Sequence, residues 1–483
     1  MDDNRLGKGV RYTGHPFVDV GVAVLENYLE LPHEEFSEEN LAMASKWLME
    51  QYVRKDIKGY LTVHFPNSGW CNPTIKGDKK EIYIGKVLFS HCSPPLEPQR
   101  ACPFCGRPAQ FLADRQHIPM LTGATVLVTA PWGVAGLPVC GYCLLAIQFY
   151  PLGTVKVNGR PLFWWTPEPD LTSELVGDMY RKVREILSTS SDKFSNFSWP
   201  RTRLLQSASE VLEKYRLEPG DSGKPLADCI GYHVTNYGSS PDFDQYFIPK
   251  ELLEFWLEVR IAPEKVRKVY QWVVASSWEK PKEKRTAKKR GNIEGGNMNG
   301  KEEGERTIES LRNYYYESLG EAFESLDWQE GIRKVIPRFF LQKNIENADK
   351  NNFQLCELFL RKVGGMEKQR LEIIKDIADR ITYDLILGNN DRRWFKDLYS
   401  KEMKQQEFLR YIVRAQKKLA ESGKSFSFDN ILLLLDISST EDTGLKDTWL
   451  IRSLFLIRML EHLGREKHEV LEEMLEQQEE EVS

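Results

Sequence analysis

Two CxxC pairs, Cys102-Pro-Phe-Cys105 and Cys140-Gly-Tyr-Cys143, constrain this chain more than any other feature. Each pair puts two thiols on one tight turn, and two such turns can close a tetrahedral site around Zn²⁺. Gly106 follows the first pair and suits the left-handed backbone on which such a turn ends. The pairs stand further apart than in a minimal zinc ribbon, so the spacing predicts an inserted hairpin or loop. A redox pair or an empty site are the alternatives. Four thiolates leave no open coordination position, so the expected ion is structural and not catalytic. His91 and Cys92 lie nearby, as spare ligands or as buried small residues.

A chain of 483 residues should split into two to four domains. The expected fold is an α+β N-terminal part with an inserted zinc ribbon, followed by an all-α C-terminal helical bundle. Residues 1–85 form an α+β segment, with an amphipathic helix near residues 36–55 and a strand at GYLTVHF. Residues 86–165 hold the zinc-ribbon region among short β-rich runs. Residues 166–278 complete the α+β part, and residues 279–305 read as a basic flexible linker with no apolar period. Residues 306–483 read as the bundle. Leu371, Ile374, Ile377, Ala378 and Ile381 make one helical stripe there, and Leu450, Leu454, Ile457 and Leu460 make another.

The longest apolar stretch, residues 122–153, is interrupted by Pro131, Gly133, Gly136, Pro138 and the second cysteine pair. It is expected to be buried strands and turns, not a membrane span. The opening residues lack the apolar segment of a secretory leader, and four of the eight cysteines fall in two CxxC pairs, which points to a reducing cytoplasm.

Familiar catalytic patterns are missing. Gly423-Lys424-Ser425 lacks the glycine a phosphate-binding loop needs five positions earlier, where Lys418 stands, so it reads as a turn between helices. Asp228, Cys229 and His233 fit a strand with alternating faces. No enzyme activity is expected.

The net charge of −5 leaves nucleic-acid binding to local patches. Lys284, Arg285, Lys288, Lys289 and Arg290 crowd the linker, which is either a phosphate-contacting arm or simply a soluble spacer. In the loop FPNSGWCNPTIKGDKK, Asn67, Ser68, Trp70 and Asn72 offer hydrogen-bonding and stacking groups beside Lys76, Lys79 and Lys80; the alternative is turn chemistry. Asn236, Tyr237, Ser239 and Ser240 make a third loop. Arg392 and Arg393 flank Trp394 in the helical part, as a strand-tracking surface or a solvated helix face.

The block YTGHPFVDVG (residues 12–21), the Asn67-Ser68-Gly69 loop, the two CxxC pairs and NYGSSPD (residues 236–242) occur in that order. Together they resemble the CRISPR-associated CxxC–CxxC family, the large subunit of type I-B Cascade, over about residues 11–250. The resemblance implies a subunit that recognises the motif flanking the target (the PAM). It would bind target double-stranded DNA and the guide RNA 5′ handle beside the Cascade backbone and small subunits, and help recruit the helicase–nuclease. The protein reads the flanking motif and the backbone, while the guide reads the sequence. The competing reading is a free-standing zinc-ribbon nucleic-acid adaptor or regulator. His15 reads as a packed turn residue. In relatives the helical part is also made separately from an internal start, for which Met298 and Met366 are the candidates.

Overall fold

Pro16 stands in the first turn of helix α1 (Pro16–Leu29), where its missing N–H is no loss. The turn before it closes on one carboxylate. Asp19 accepts hydrogen bonds from the Thr13 amide at 2.7 Å, the Gly14 amide at 3.1 Å and Trp165 Nε1 at 2.9 Å. Burial pushes the Asp19 carboxyl up, and these donors oppose the shift. Every residue from Val18 to Leu25 is buried. A helix apolar on all sides belongs in the centre of a core, and α1 takes that place.

The structure, a computed structural model, describes residues 9–66, 68–121, 135–189, 194, 196–214, 226–235, 242–280, 311–400, 403–435 and 447–466. The chain divides into two units, Met1–Lys250 with Glu279–Arg312, and Glu251–Trp278 with Asn313–Ser483. The cut thus falls at Lys250, and the sequence-based boundary at 278 is displaced. No helix among the described residues is long and apolar enough to cross a membrane.

In the first unit, helices α2 (Glu38–Tyr52), α3 (Lys58–His64) and α4 (Asp78–Leu88) follow α1. A short antiparallel pair comes next, β1 (Phe111–Ala113) with β2 (Leu137–Val139), and then α5 (Gly141–Phe149). The remaining elements are β3 (Val155–Val157), β4 (Arg160–Trp165), α6 (Pro169–Ser188), β5 (Asn196–Phe197), α7 (Pro200–Lys214), β6 (Cys229–Thr235) and β7 (Asp242–Ile248). Strands β5-β3-β4-β6-β7 form one sheet, antiparallel except for the β3–β5 pair. Asp228, Cys229 and His233 fall where the alternating reading puts them. Asp228 accepts from the Lys250 amide, and His233 is buried with Nε2 on the Val157 carbonyl at 2.9 Å. Helix α1 packs against α5 and α6, and two glycines set the spacing. A β-carbon on Gly21 would lie 1.8 Å from the Ala146 carbonyl oxygen, and one on Gly153 would meet Val20, Val24 and Val176.

Two segments expected as strands are helices. GYLTVHF forms α3, with Tyr60, Leu61, His64 and Phe65 buried, a helical face that Thr62 and Val63 disguise. The run after Cys140 forms α5. All of its residues are buried, so no amphipathic period marks it in the sequence.

His64 on α3 is fully enclosed, with Nδ1 against the Tyr60 carbonyl at 2.9 Å and Nε2 against Thr154 Oγ1 at 2.8 Å. Burial lowers its pKa from 6.5 to about 4. The unfolded imidazole takes a proton below its ordinary pKa, whereas the folded one stays neutral well below that. Stability is therefore intact above the unfolded value and falls as pH drops through the window between the two. The loss between pH 7 and pH 5 should be about 2 kcal/mol. Urea midpoints for the wild type and His64→Gln at both pH values test this. The variant should lose less on acidification, and equal losses would exclude His64 as the cause.

The second unit is helical. It comprises α8 (Lys250–Ile261), whose first residue belongs to the other unit, α9 (Glu264–Ser276), α10 (Tyr314–Phe323), α11 (Trp328–Arg333), α12 (Phe353–Lys362) and α13 (Lys368–Arg380). Helices α14 (Arg393–Ser400), α15 (Gln405–Glu421), α16 (Phe428–Leu435) and α17 (Thr448–Glu466) complete it. Both apolar stripes read from the sequence are buried. Helix α17 runs along α13, and Arg458 and His462 bind Asp379 there at 2.6 and 2.9 Å. Asn313 caps α10 through the Tyr315 and Tyr316 amides, and its Nδ2 donates to the Val274 carbonyl in α9. Phe255 of α8 meets Phe359 of α12 edge-on at 5.1 Å, and Tyr270 of α9 meets Tyr315 at 6.1 Å. Gly423, at φ 71°, turns the chain from α15 to α16, as expected for a helix-to-helix turn.

Candidate metal centre

The first cysteine pair is shaped by its own backbone. The Cys102 amide donates to the Arg107 carbonyl at 2.7 Å and the Gly106 amide to the Cys102 carbonyl at 2.8 Å, with Gly106 at φ 76°. The second pair arrives on the β1–β2 ladder, which aligns Phe111 with Val139. The chain between the pairs includes that ladder and a turn at Asp114; residues 122–134 lie outside the described residues. Cys140 then caps α5, its Sγ accepting from the Cys143 amide at 3.4 Å.

The sulfur atoms of Cys102, Cys105, Cys140 and Cys143 all lie within 4.8 Å of one another, and Cys105 and Cys140 stand 3.4 Å apart. A disulfide would need about 2.05 Å. Tetrahedral thiolates bonded to zinc at about 2.3 Å stand roughly 3.8 Å apart, so the four cysteines fit a metal ion of that size. Hydrogen bonds from the other three thiols pull the Cys102 pKa down. At Cys105 the bond with Cys102 opposes those from Cys140 and Cys143, which win and bring it to about 7. Cys140 and Cys143 are pushed up, first by the charge-sharing bond with Cys102. Sulfurs this close cannot all ionise together unaided, and a divalent cation removes that mutual repulsion.

The residues around the sulfurs tie the chain's opening to this cluster. Arg11 donates to the Cys105 carbonyl at 2.6 Å, and Arg107 reaches the Gly9 carbonyl while lying over the Tyr142 ring. His15, at the start of α1, packs its ring 4.6 Å from Phe104. It is a packed turn residue, and burial lowers its pKa. Gln110 accepts from the Gly141 amide and donates to the His91 and Ser93 carbonyls, pinning the second pair. Sequence reasoning missed Arg11, Asp19 and Gln110. A lone acid in the apolar run FVDVGVAV was the one visible signal.

The loop at residues 67–80 is only partly a surface. Asn67 lies outside the described residues. Ser68 is fully buried, and Trp70 is buried against Tyr52 with Nε1 on Gln148 Oε1 at 3.1 Å. These two are core residues and offer nothing to a base, because the loop folds inward to fill the space beside α5. Asn72 does turn chemistry, its Oδ1 accepting from the Thr74 amide and hydroxyl. Lys76 and Lys79 are exposed and Lys80 is half-buried at the start of α4. Lys284, Arg285, Lys288, Lys289 and Arg290 lie outside the described residues, as do Asn236, Tyr237, Ser239, Ser240 and Met298. Arg393 is exposed and paired with Asp391 at 2.9 Å; Arg392 is half-buried. Arg414 covers Trp394 and binds Asp397, so part of that helical charge is already matched.

No family model, curated protein or solved structure matches the chain.

Proposed function

We propose that the cysteine cluster holds zinc as the core of a zinc ribbon, and that the chain is the non-catalytic large subunit of a type I-B CRISPR Cascade complex in the cytoplasm. One observation supports this reading above the rest. The block at residues 12–21, the most distinctive part of the resemblance, packs on the first cysteine turn through His15 against Phe104, and Arg11, the residue just before the block, donates to the Cys105 carbonyl. Two sequence blocks that resemble the same family are thereby parts of one physical platform. The ion braces that platform, and target DNA, guide RNA, the other Cascade subunits and the helicase–nuclease gather around it. Lys76 and Lys79 are exposed cations that follow the family-like loop, and they are assigned to phosphates of the DNA flanking the target.

Tagging the full chain in its native host and sequencing the RNA that copurifies tests the assignment. Repeat-derived RNA and a set of backbone proteins are expected. Recovery of the chain without either would favour the free-standing adaptor. On the assembled complex, Lys76→Ala with Lys79→Ala should weaken duplex binding and flatten the slope of log K against log salt by about 1.8. An unchanged slope would remove these two lysines from the DNA contact.

A further inference from the structure

We propose that Glu38, His91 and Cys92 form a second metal site, which holds Zn²⁺ with a water molecule in its fourth position. Their ligand atoms lie within 4.8 Å of one another, and His91 Nε2 is 3.7 Å from Glu38 Oε2. The His91 side chain is 1% exposed, yet neither ring nitrogen has a hydrogen-bond partner of ordinary geometry; the Leu88 carbonyl is its nearby backbone acceptor. A buried imidazole left this way is costly unless something meets it. A metal ion on Nε2 would do so.

The neighbours hold the three groups in a ligand-like arrangement. Tyr142 donates to Glu38 Oε1 at 2.5 Å, leaving Oε2 on the His91 side. The Tyr142 ring lies 5.5 Å from the His91 ring. Gly141 presses so closely on the His91 backbone that a β-carbon there would sit 2.0 Å from the His91 amide nitrogen. Gln110 Nε2 binds the His91 carbonyl at 3.0 Å. Cys92 and Glu38 are exposed, so they can close the remaining distance and leave one side of the ion to solvent.

The donor set selects the ion. Sulfur, nitrogen and one carboxylate oxygen suit Zn²⁺, whereas Mg²⁺ and Ca²⁺ take oxygen shells. Three protein ligands leave a position for water or an anionic oxygen, unlike the closed cysteine cluster. Gly141 and Tyr142 stand between Cys140 and Cys143, so the first turn of α5 serves both sites. The cysteine cluster should therefore fill first and the outer site second.

Full-length protein stripped of metal and titrated with Zn²⁺, and in parallel with Co²⁺, distinguishes the sites. Two equivalents per chain are expected, the weaker one leaving first under a mild chelator. Cys92→Ala and Glu38→Gln should each abolish the weaker equivalent, keep the tight one and leave the melting temperature of the singly loaded protein unchanged. Cys92→Ala should also lose part of the thiolate-to-Co²⁺ absorption. One equivalent in the wild type that survives Cys92→Ala overturns the proposal, as does a second equivalent that survives both variants. A single equivalent lost in Cys92→Ala would instead keep the outer site and overturn the zinc reading of the cysteine cluster.

Discussion

With zinc in the cysteine cluster as proposed, Cys143→Ser is expected to abolish its binding there and unfold the first unit while the helical unit stays folded. Cys143 is 3% exposed and sits in the first turn of α5, whose residues are all buried. A serine hydroxyl is a poor replacement for a thiolate, and the three sulfurs left behind cannot complete the tetrahedron. Structural zinc contributes about 10–16 kcal/mol of apparent folding energy. A whole domain is stable by only about 5–15 kcal/mol, so losing the ion removes most or all of the margin. The effect should spread beyond the cluster, because α5 packs against α1 and Gln110 joins the second pair to residues 91–93. Metal content, near-ultraviolet dichroism and limited proteolysis should show a zinc-poor protein that yields a resistant C-terminal fragment. A variant with full zinc and the wild-type melting temperature would end the idea of a structural ion.

The second large effect is expected at a residue with no side chain. Gly21→Ala puts a methyl group 1.8 Å from the Ala146 carbonyl oxygen, a backbone atom that cannot swing away. Helices α1 and α5 would have to separate, and both are buried throughout the contact. Overpacking of this kind costs typically about 1–3 kcal/mol, and a clash with backbone belongs at or above the top of that range. Gly85→Ala is the matched contrast, since nothing lies within 4 Å of a β-carbon there. Inside α4 it should stabilise the protein by roughly 0.8–1 kcal/mol through helix propensity alone. Thermal melts of the two variants should therefore move in opposite directions. If both shift alike, the close crossing of α1 and α5 is not what the protein requires.

What could be read ahead of the structure follows from which physical signals are local. The CxxC pairs announced their own geometry because ligand spacing within a turn is a short-range property, and the four sulfurs do converge. The stripes on α13 and α17 were legible because one face of each helix is polar. Helix α5 was not, since burial on every side erases the period that marks a helix. Trp70 misled for a related reason. Asparagine, glycine and proline around it signal an exposed turn, but the ring itself goes inward to Gln148, a residue 78 positions later. Helices α8 and α9 were assigned to the wrong half because their partners, Phe359 and Tyr315, lie beyond the basic stretch. Glu38 was overlooked as a neighbour of His91 because they belong to different elements and meet only in three dimensions.

The grouping of Glu251–Trp278 with Asn313–Ser483 bears on any shorter product begun inside this gene. Translation from Met298 would deliver Tyr315 and Phe359 without Tyr270 and Phe255, the rings they meet. It would also leave Arg361 and Lys362 without Glu258, which binds both at 2.8 Å. Such a polypeptide would emerge with an aromatic flank bordered by unmatched positive charge, a surface shaped to accept a helix pair from elsewhere.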